Sequence, residues 1–140
     1  MTQRSLASIA GKMADIDIAM LSTHTKGGNI ASRPMSNNGD VEYDGDSYYF
    51  AMQDTLMVKD IEKDPKVALS FQGKEGFHVA VEGKAELVRD KKAFREHWAP
   101  DLDEWFEKGV DTDGLVMIKV QAVRAHYWDG EEEGEVKLSA

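Results

Sequence analysis

The sequence predicts one antiparallel β-barrel domain, closed or partly closed, that is mainly β with a few short helices. Short strand-like segments follow one another with Gly-rich turns between them. Strands and helices do not alternate regularly, which argues against a doubly wound parallel sheet. The chain of 140 residues has the length of a single domain.

The first third of the chain predicts one helix followed by three strands. Apolar residues at helical spacing open it, at Leu6, Ile9, Ala10 and Met13. Two strand-like segments follow, "DIAMLSTHT" and "IASRPMSN", and "KGGN" between them predicts a hairpin turn at Gly27 and Gly28. A second turn, "DGD", leads into the strand "SYYFAMQ".

The middle of the chain changes from a strand period to a helical one and back. Asp54 or Thr55 is expected to cap a helix that ends before Pro65. Its buried face is predicted to comprise Met57, Val58 and Ile61. "KVALSFQ" and "FHVAVEGKAELV" are predicted strands, the second with a bulge or bend at Gly83.

The last third predicts two short helices, a long strand and a tail. The helices are broken near Pro100, and Trp98, Trp105 and Phe106 are expected to cover the barrel as core residues. "GLVMIKVQAVRAHYWDG" is the final predicted strand. We expect residues 1–130 to form the domain and the acidic residues 131–140 to form a flexible tail.

Composition excludes several classes of function. The net charge of −9, without a basic stripe, argues against nucleic-acid binding, and there is no cysteine for a thiolate site. The four histidines show no metal-ligand spacing, so we expect no metal. Without a signal peptide or a membrane-spanning run, a cytoplasmic protein that does not bind membranes is predicted.

The strongest local signal is the junction where "SYYFAMQ" ends and the helix of "DTLMVKDI" begins. Free N–H groups and the helix dipole make such a junction an anion site, with Arg33 and Lys59 as candidate cations. A plain helix cap is the alternative. Arg33 precedes Pro34, which cannot donate to a sheet ladder, so this strand position suggests a ligand contact. Trp128, at the end of the last strand, either caps the barrel or stacks on a planar ligand.

Several motifs, in order, resemble the general stress protein 26-like branch of the pyridoxamine 5′-phosphate oxidase-related, flavin-binding split-barrel superfamily. They are "STHTKGGNIASRPM", "DGDSYYFAMQDTLMVKDIEKDPKVALSF", "VAVEGKAELV", "HWAP…WF" and "AHYWDG". The resemblance implies a six-stranded antiparallel split barrel. It also implies a homodimer with FMN in each of two clefts at the subunit interface.

The resemblance further implies roles for individual residues. Arg33, Pro34 and Met35 would line the flavin along one strand, with Arg33 near the ribityl or phosphate portion. The other implied contacts are backbone groups of Phe50, Ala51 and Met52, the hydroxyl and amide of Thr55, His78 at the pyrimidine edge, and Trp128 from the partner subunit.

One position departs from the family pattern. Relatives place a basic residue where this chain has Met57, and the nearest lysine, Lys59, lies about 200° further round the helix. Losing a charge-assisted contact costs roughly 10- to 100-fold in affinity. The sequence therefore predicts weak FMN binding, with FAD or no cofactor as alternatives.

The function that the resemblance implies is FMN binding in a stress-related protein. Flavin-dependent oxidoreductase activity on an unknown substrate is left open, and no catalytic residue is assigned. The acidic C-terminal end lacks the basic cluster of true pyridoxamine phosphate oxidases, so that activity is not expected. The alternatives are a non-enzymatic flavin carrier or sensor, a protein-interaction barrel with a degenerate cofactor site, and haem binding through His24, His78 or His126.

Overall fold

The structure, a computed structural model, describes residues 2–36 and 44–137. In these residues it has eight strands and three α-helices. The strands are β1 (Thr2–Ser5), β2 (Ile18–His24), β3 (Ile30–Ser36), β4 (Asp46–Met52), β5 (Lys66–Gln72), β6 (Phe77–Val88), β7 (Leu115–Asp129) and β8 (Glu132–Lys137). The helices are α1 (Leu6–Ala14), α2 (Leu56–Lys63) and α3 (Lys91–His97), with short 3₁₀ turns at Lys26–Gly28, Pro100–Glu104 and Gly109–Asp111.

The strands form one sheet in the order β1-β8-β7-β6-β5-β2-β3, and β4 pairs with the first half of β7. This mainly β architecture is consistent with a split barrel. The expectation of six antiparallel strands needs correction, because β1 and β8 add a parallel pair at the end of the sheet. The six strands expected from the sequence are β2 to β7.

Local sequence signals account for most elements. Helix α1 buries Leu6, Ile9, Ala10 and Met13, as their spacing predicted. The predicted turn "KGGN" is a 3₁₀ turn with positive φ at both Gly27 and Gly28. The β6–β7 pairing shifts register between Glu82 and Gly83, which confirms the predicted bulge.

Two hydrophobic clusters hold the fold together. The larger lies on the concave, inner side of the sheet, where α1 and α2 pack, and includes Leu21, Leu69, Val81, Ile118 and Tyr127. The smaller lies on the opposite face of β4 and the start of β7, under α3. It is built from Phe50, Phe94, Leu115 and Met117.

The C-terminal segment differs from the sequence prediction. In place of the tail expected over 131–140, Glu132–Lys137 forms β8, which pairs with both β7 and β1. Val136 is 6% exposed and joins the larger cluster, which explains why this acidic segment is held against the sheet. Residues 138–140, and Asn37 at the end of the predicted second strand, lie outside the described residues.

Trp105 also differs from the sequence prediction. It was expected in the core but is 74% exposed, while Trp98 and Phe106 pack against the smaller cluster. In the described part of the chain, no helix is long and apolar enough to span a bilayer.

Candidate functional site

Arg33 is held on the inner side of β3 by neighbours on β2 and α2. Its Nη1 donates hydrogen bonds to Thr23 Oγ1 at 2.9 Å and to the Leu21 carbonyl at 3.3 Å. Its Nη2 lies 3.9 Å from Asp60 Oδ2, and Thr23 Oγ1 donates to the same carboxylate oxygen at 3.3 Å. Burial lowers the pKa of the Arg33 guanidinium, and Asp60 raises it. The guanidinium is therefore a charged group fixed between β3 and α2.

The junction between β4 and α2 is closed by Thr55. Its N–H and its hydroxyl both donate to the Met52 carbonyl, at 3.1 and 2.9 Å, and its Oγ1 accepts from Val58 N–H at 3.4 Å. Thr55 is thus the N-cap of α2. Helix geometry leaves the N–H groups of Leu56 and Met57 without intrahelical partners, so they are available to an acceptor.

The side chains of α2 divide between the core and solvent as the helical period predicted. Met57 is 9% exposed and packs in the larger cluster, so it presents no polar group to a ligand. Lys59 is exposed. Asp60, which sequence analysis missed, is buried because it lies three residues after Met57 and next to Ile61 on the same face. An acid at a core position of a helix is the signal that could have revealed it.

The three predicted contacts on β3 do not share one face of the sheet. Arg33 and Met35 lie toward the core, whereas Pro34 lies on the outer face, directly opposite Met20 in the β2–β3 register. Among the described residues β3 pairs only with β2, so its other edge has free backbone groups. Pro34 fits an edge strand because it has no N–H to donate.

The predicted contacts on β4 also alternate between two faces. Ala51 lies in the larger cluster, whereas the Phe50 ring packs on Phe94 and Trp98 with centroid distances of 5.7 and 4.9 Å. Met52 is half-buried and its carbonyl is occupied by Thr55. In the described parts of the chain β4 pairs only with β7, so its second edge leaves backbone groups for a ligand.

His78 and Trp128 lie together on the outer face of β6 and β7. They are directly opposite each other in the register, and Trp128 is 38% exposed. The ring of His126 packs on Trp128 with a centroid distance of 4.5 Å, and His126 Nε2 is 2.9 Å from Glu133 Oε2. This arrangement fixes an exposed indole that can stack on a planar ring.

Within one chain, Arg33 on β3 lies far from His78 and Trp128. Four strand spacings, about 19 Å along the sheet, lie between β3 and β7. Arg33 is therefore far along the sheet from His78 and Trp128. Trp128 and Arg33 line one small site only if the two residues come from different copies.

Two depressions are lined by other residues. A cleft of about 830 Å³ lies between the end of α1, the β5–β6 turn and the end of β7, and it contains none of the predicted flavin contacts. A groove of about 380 Å³ lies on the outer face, near the bulge. Its lining includes Ser22, His24, Ile30, Lys66, Lys84 and Val123. In the described residues, no group of three or more His, Asp or Glu side chains is arranged to hold a metal ion.

Comparison with known families decides the classification. A family model described as pyridoxamine 5′-phosphate oxidase like matches residues 4–139. The chain belongs to this family. The resemblance seen in the sequence motifs is thereby confirmed. No curated protein matches the sequence at a significant level.

Several solved structures share the fold of this pyridoxamine 5′-phosphate oxidase-like protein. A protein from Clostridium acetobutylicum, related to general stress protein 26, has a TM-score of 0.81 at 18% identity, covering 94% of this chain and 93% of that one. A general stress FMN/FAD binding protein from Xanthomonas citri has a TM-score of 0.75 at 19% identity, covering 96% of each chain. A heme binding protein from Mycobacterium smegmatis has a TM-score of 0.75 at 14% identity, covering 96% of this chain and 59% of that one.

The groups present fit the chemistry of a flavin. The guanidinium of Arg33 and the free N–H groups of α2 suit the polar tail, and the exposed indole of Trp128 suits the flat ring system. Free edges of β3 and β4 add backbone donors and acceptors between them.

Proposed function

We propose that this protein binds a flavin, FMN or a close relative, in two equivalent clefts formed by a homodimer. The observation that carries the proposal is the Arg33 guanidinium, held against Asp60 of α2, together with the capped N-terminus of that helix and the edges of β3 and β4 that are unpaired among the described residues. Membership of the pyridoxamine 5′-phosphate oxidase-like family and the FMN/FAD binding neighbour from Xanthomonas citri support it.

In this proposal each predicted contact has a defined task. Arg33 and Thr55 hold the ribityl tail, the first through its guanidinium and the second through the cap it makes for α2. The backbone along Arg33–Met35 and Phe50–Met52 follows the ring and chain of the flavin. Met57 contributes only packing. Lys59 is the remaining cation near the tail, in an exposed position.

A second copy of the chain is proposed to complete the site. In the described residues, five of the seven large exposed hydrophobic side chains lie on the outer face of the sheet. They are Ile18, Met20, Ile30, Val123 and Trp128. Burying this face against another copy would remove them from water and bring Trp128 and His78 of one chain toward Arg33 of the other.

The chemistry that a bound flavin would supply is one- or two-electron redox transfer. The chain's own residues would orient the ring and control access to it. His78 is the polar side chain best placed to contact the ring's edge, through a hydrogen bond or a proton. We propose oxidoreductase activity as the first possibility and a non-enzymatic flavin carrier or sensor as the second, both in the cytoplasm.

Titration with FMN tests the proposal. We expect quenching of FMN fluorescence and a thermal shift, because a ligand at 100 times its Kd adds about 2.7 kcal/mol of stability. Arg33→Ala should weaken binding by about 10-fold or more, since it removes a charged donor. Arg95→Ala, which removes an exposed arginine on α3, should leave the Kd unchanged. Absence of both quenching and thermal shift at high FMN would defeat the proposal.

Haem is the second candidate ligand, favoured by the Mycobacterium smegmatis neighbour. The outer face presents His78 and His126 close to Trp128, and His24 lies at the end of β2. Addition of haem would then give a sharp Soret band that His78→Ala or His126→Ala alters. An unaltered free-haem spectrum at equimolar protein would eliminate this candidate.

A further inference from the structure

Positive and negative formal charges cancel around Arg33 and the first turn of α2, where the phosphate-bearing tail of the flavin is proposed to lie. Arg33 carries one positive charge, and Asp60 sets a buried carboxylate beside it, with Thr23 hydrogen-bonded to both. Because Asp60 is 8% exposed, solvent does little to screen it from Arg33. The guanidinium therefore offers an approaching anion much less attraction than an uncompensated arginine would.

The first turn of α2 adds no cation to this balance. Leu56, at its first position, is 75% exposed, and Met57 is buried. Asp54 lies immediately before the cap, and its exposed carboxylate repels an anion that approaches the N–H groups of Leu56 and Met57. Lys59 is exposed and solvated.

Arg89 donates to Gln53 beside the cap, but it is also paired with Glu62 of α2. Three nearby positive charges, of Arg33, Lys59 and Arg89, are thus balanced by three negative ones, of Asp54, Asp60 and Glu62. The whole chain carries 26 acids against 17 basic residues, so the general field also disfavours a phosphate dianion.

We infer that this site selects its ligand through the flavin ring and ribityl chain rather than through a terminal phosphate, so that it accepts unphosphorylated flavin about as well as FMN. This inference rests on the proposed flavin function. Ring stacking and backbone hydrogen bonds, which riboflavin and FMN share, would provide most of the affinity. The phosphate would accept a few hydrogen bonds from backbone N–H groups, but it would lose hydration beside the carboxylates of Asp54 and Asp60.

Parallel titrations with riboflavin and FMN test the inference. We expect the two Kd values to lie within about 10-fold of each other. A cation that contacts the phosphate without a neighbouring carboxylate would instead make FMN bind roughly 10- to 100-fold more tightly than riboflavin. We also expect a similar, weak dependence of both Kd values on salt concentration. FMN binding more than about 10-fold tighter than riboflavin would overturn the inference while leaving the flavin function intact. Failure of both flavins to bind would overturn the two together.

A charge variant at an exposed position sharpens the test. Leu56→Lys adds a cation to the first turn of α2 without disturbing the core, and it should tighten FMN by about 10-fold with riboflavin unchanged. Glu107→Gln makes the same change in net charge at an exposed turn outside α2 and should alter neither Kd. If Leu56→Lys tightens both flavins equally, or leaves FMN unchanged, the missing cation at the first turn of α2 is not the reason that the two flavins bind alike, and the inference fails.

Discussion

At the scale of single residues, one buried hydroxyl stands out. Tyr49 on β4 is 4% exposed, and its hydroxyl makes no hydrogen bond of ordinary geometry among the described residues, although the Ser47 side chain lies near it. Burial raises the pKa of this phenol to about 12, and Ser47 opposes the shift. Since an unsatisfied buried polar atom costs roughly 1–3 kcal/mol, Tyr49 should lower the stability of the native state.

Replacing Tyr49 by Phe should therefore raise the free energy of unfolding by about 1 kcal/mol at neutral pH. Urea denaturation measures the difference. Tyr127→Phe is the matched control, because that equally buried phenol donates to Glu132 Oε1 at 3.4 Å and should lose stability instead. A less stable Tyr49→Phe protein would mean that the hydroxyl has a partner in solution.

The same residue predicts a pH dependence. Between its unfolded pKa near 10 and its native pKa of about 12, the native state holds the Tyr49 proton more tightly than the unfolded state. Stability from this group is complete below pH 10 and declines as the pH rises toward 12, by roughly 2–3 kcal/mol in total. The difference in unfolding free energy between Tyr49→Phe and the unmodified chain should grow across that interval. A constant difference would contradict the raised pKa.

Individual residues show how far the candidate site could be predicted from the sequence. Arg33, Thr55 and Trp128 were predicted as ligand contacts because a proline, a helix cap and a strand end accompany them in the sequence. Thr23 was missed because its partner, Arg33, lies on another strand and becomes a neighbour only through folding. His126 was named only as a possible haem ligand, because its contacts with Trp128 and Glu133 are made only in the folded chain. Asp60 alone carried a local signal that was overlooked.

At the scale of elements, the β6–β7 pair is the longest ladder of the sheet, and Gly83 shapes it. A Cβ at Gly83 would lie 2.7 Å from the Gln121 carbonyl oxygen and 3.1 Å from Val120 Cγ1. The facing strand can approach this closely only because residue 83 has no side chain. The bulge was predictable from the glycine alone, since a strand interior seldom contains one without a reason.

Gly83→Ala should consequently lower the free energy of unfolding by about 1–3 kcal/mol, because the backbone of β7 has to move. Gly11→Ala serves as the control. It lies within α1 with no atom within 4 Å of its added Cβ, and it should stabilise the protein by roughly 0.5–1 kcal/mol. Chemical denaturation of both variants gives the comparison. Equal effects of the two substitutions would argue against the close approach at the bulge.

Strands that form only through contacts between distant parts of the chain were not predicted from the sequence. Strand β8 contains four acidic or polar positions around Val136, a composition that indicates solvent exposure when it is considered alone. Its pairing with β1 joins the two ends of the chain, and no local pattern reports such a contact. Periodicity and turns thus predicted β2 to β7, whereas β1 and β8 required the folded molecule.

At the scale of the whole molecule, the outer face of the sheet determines how the site is completed. Met20 lies within this face, between Pro34 on β3 and Ser70 on β5, and it is 38% exposed. Exposed apolar residues concentrated on one face mark an interaction surface. The proposed partner is a second copy, because the predicted ring contact Trp128 and the predicted tail contact Arg33 lie far apart along the sheet of one chain.

Met20→Glu should convert the proposed dimer to a monomer and abolish flavin binding, because it places a charge within the buried apolar face. Light scattering after size exclusion reports the mass. Trp105→Glu is the control, since it changes an equally apolar, 74% exposed residue outside this face. A dimer that survives Met20→Glu with flavin bound would show that the copies associate elsewhere.

Sedimentation velocity of the flavin-saturated protein, recorded at the protein's wavelength and at one that only flavin absorbs, tests the shared cleft most directly. We predict one boundary at twice the 15.6 kDa mass of the chain, carrying two flavins. Flavin that sediments with a single chain, or a dimer that sediments without flavin, would contradict it.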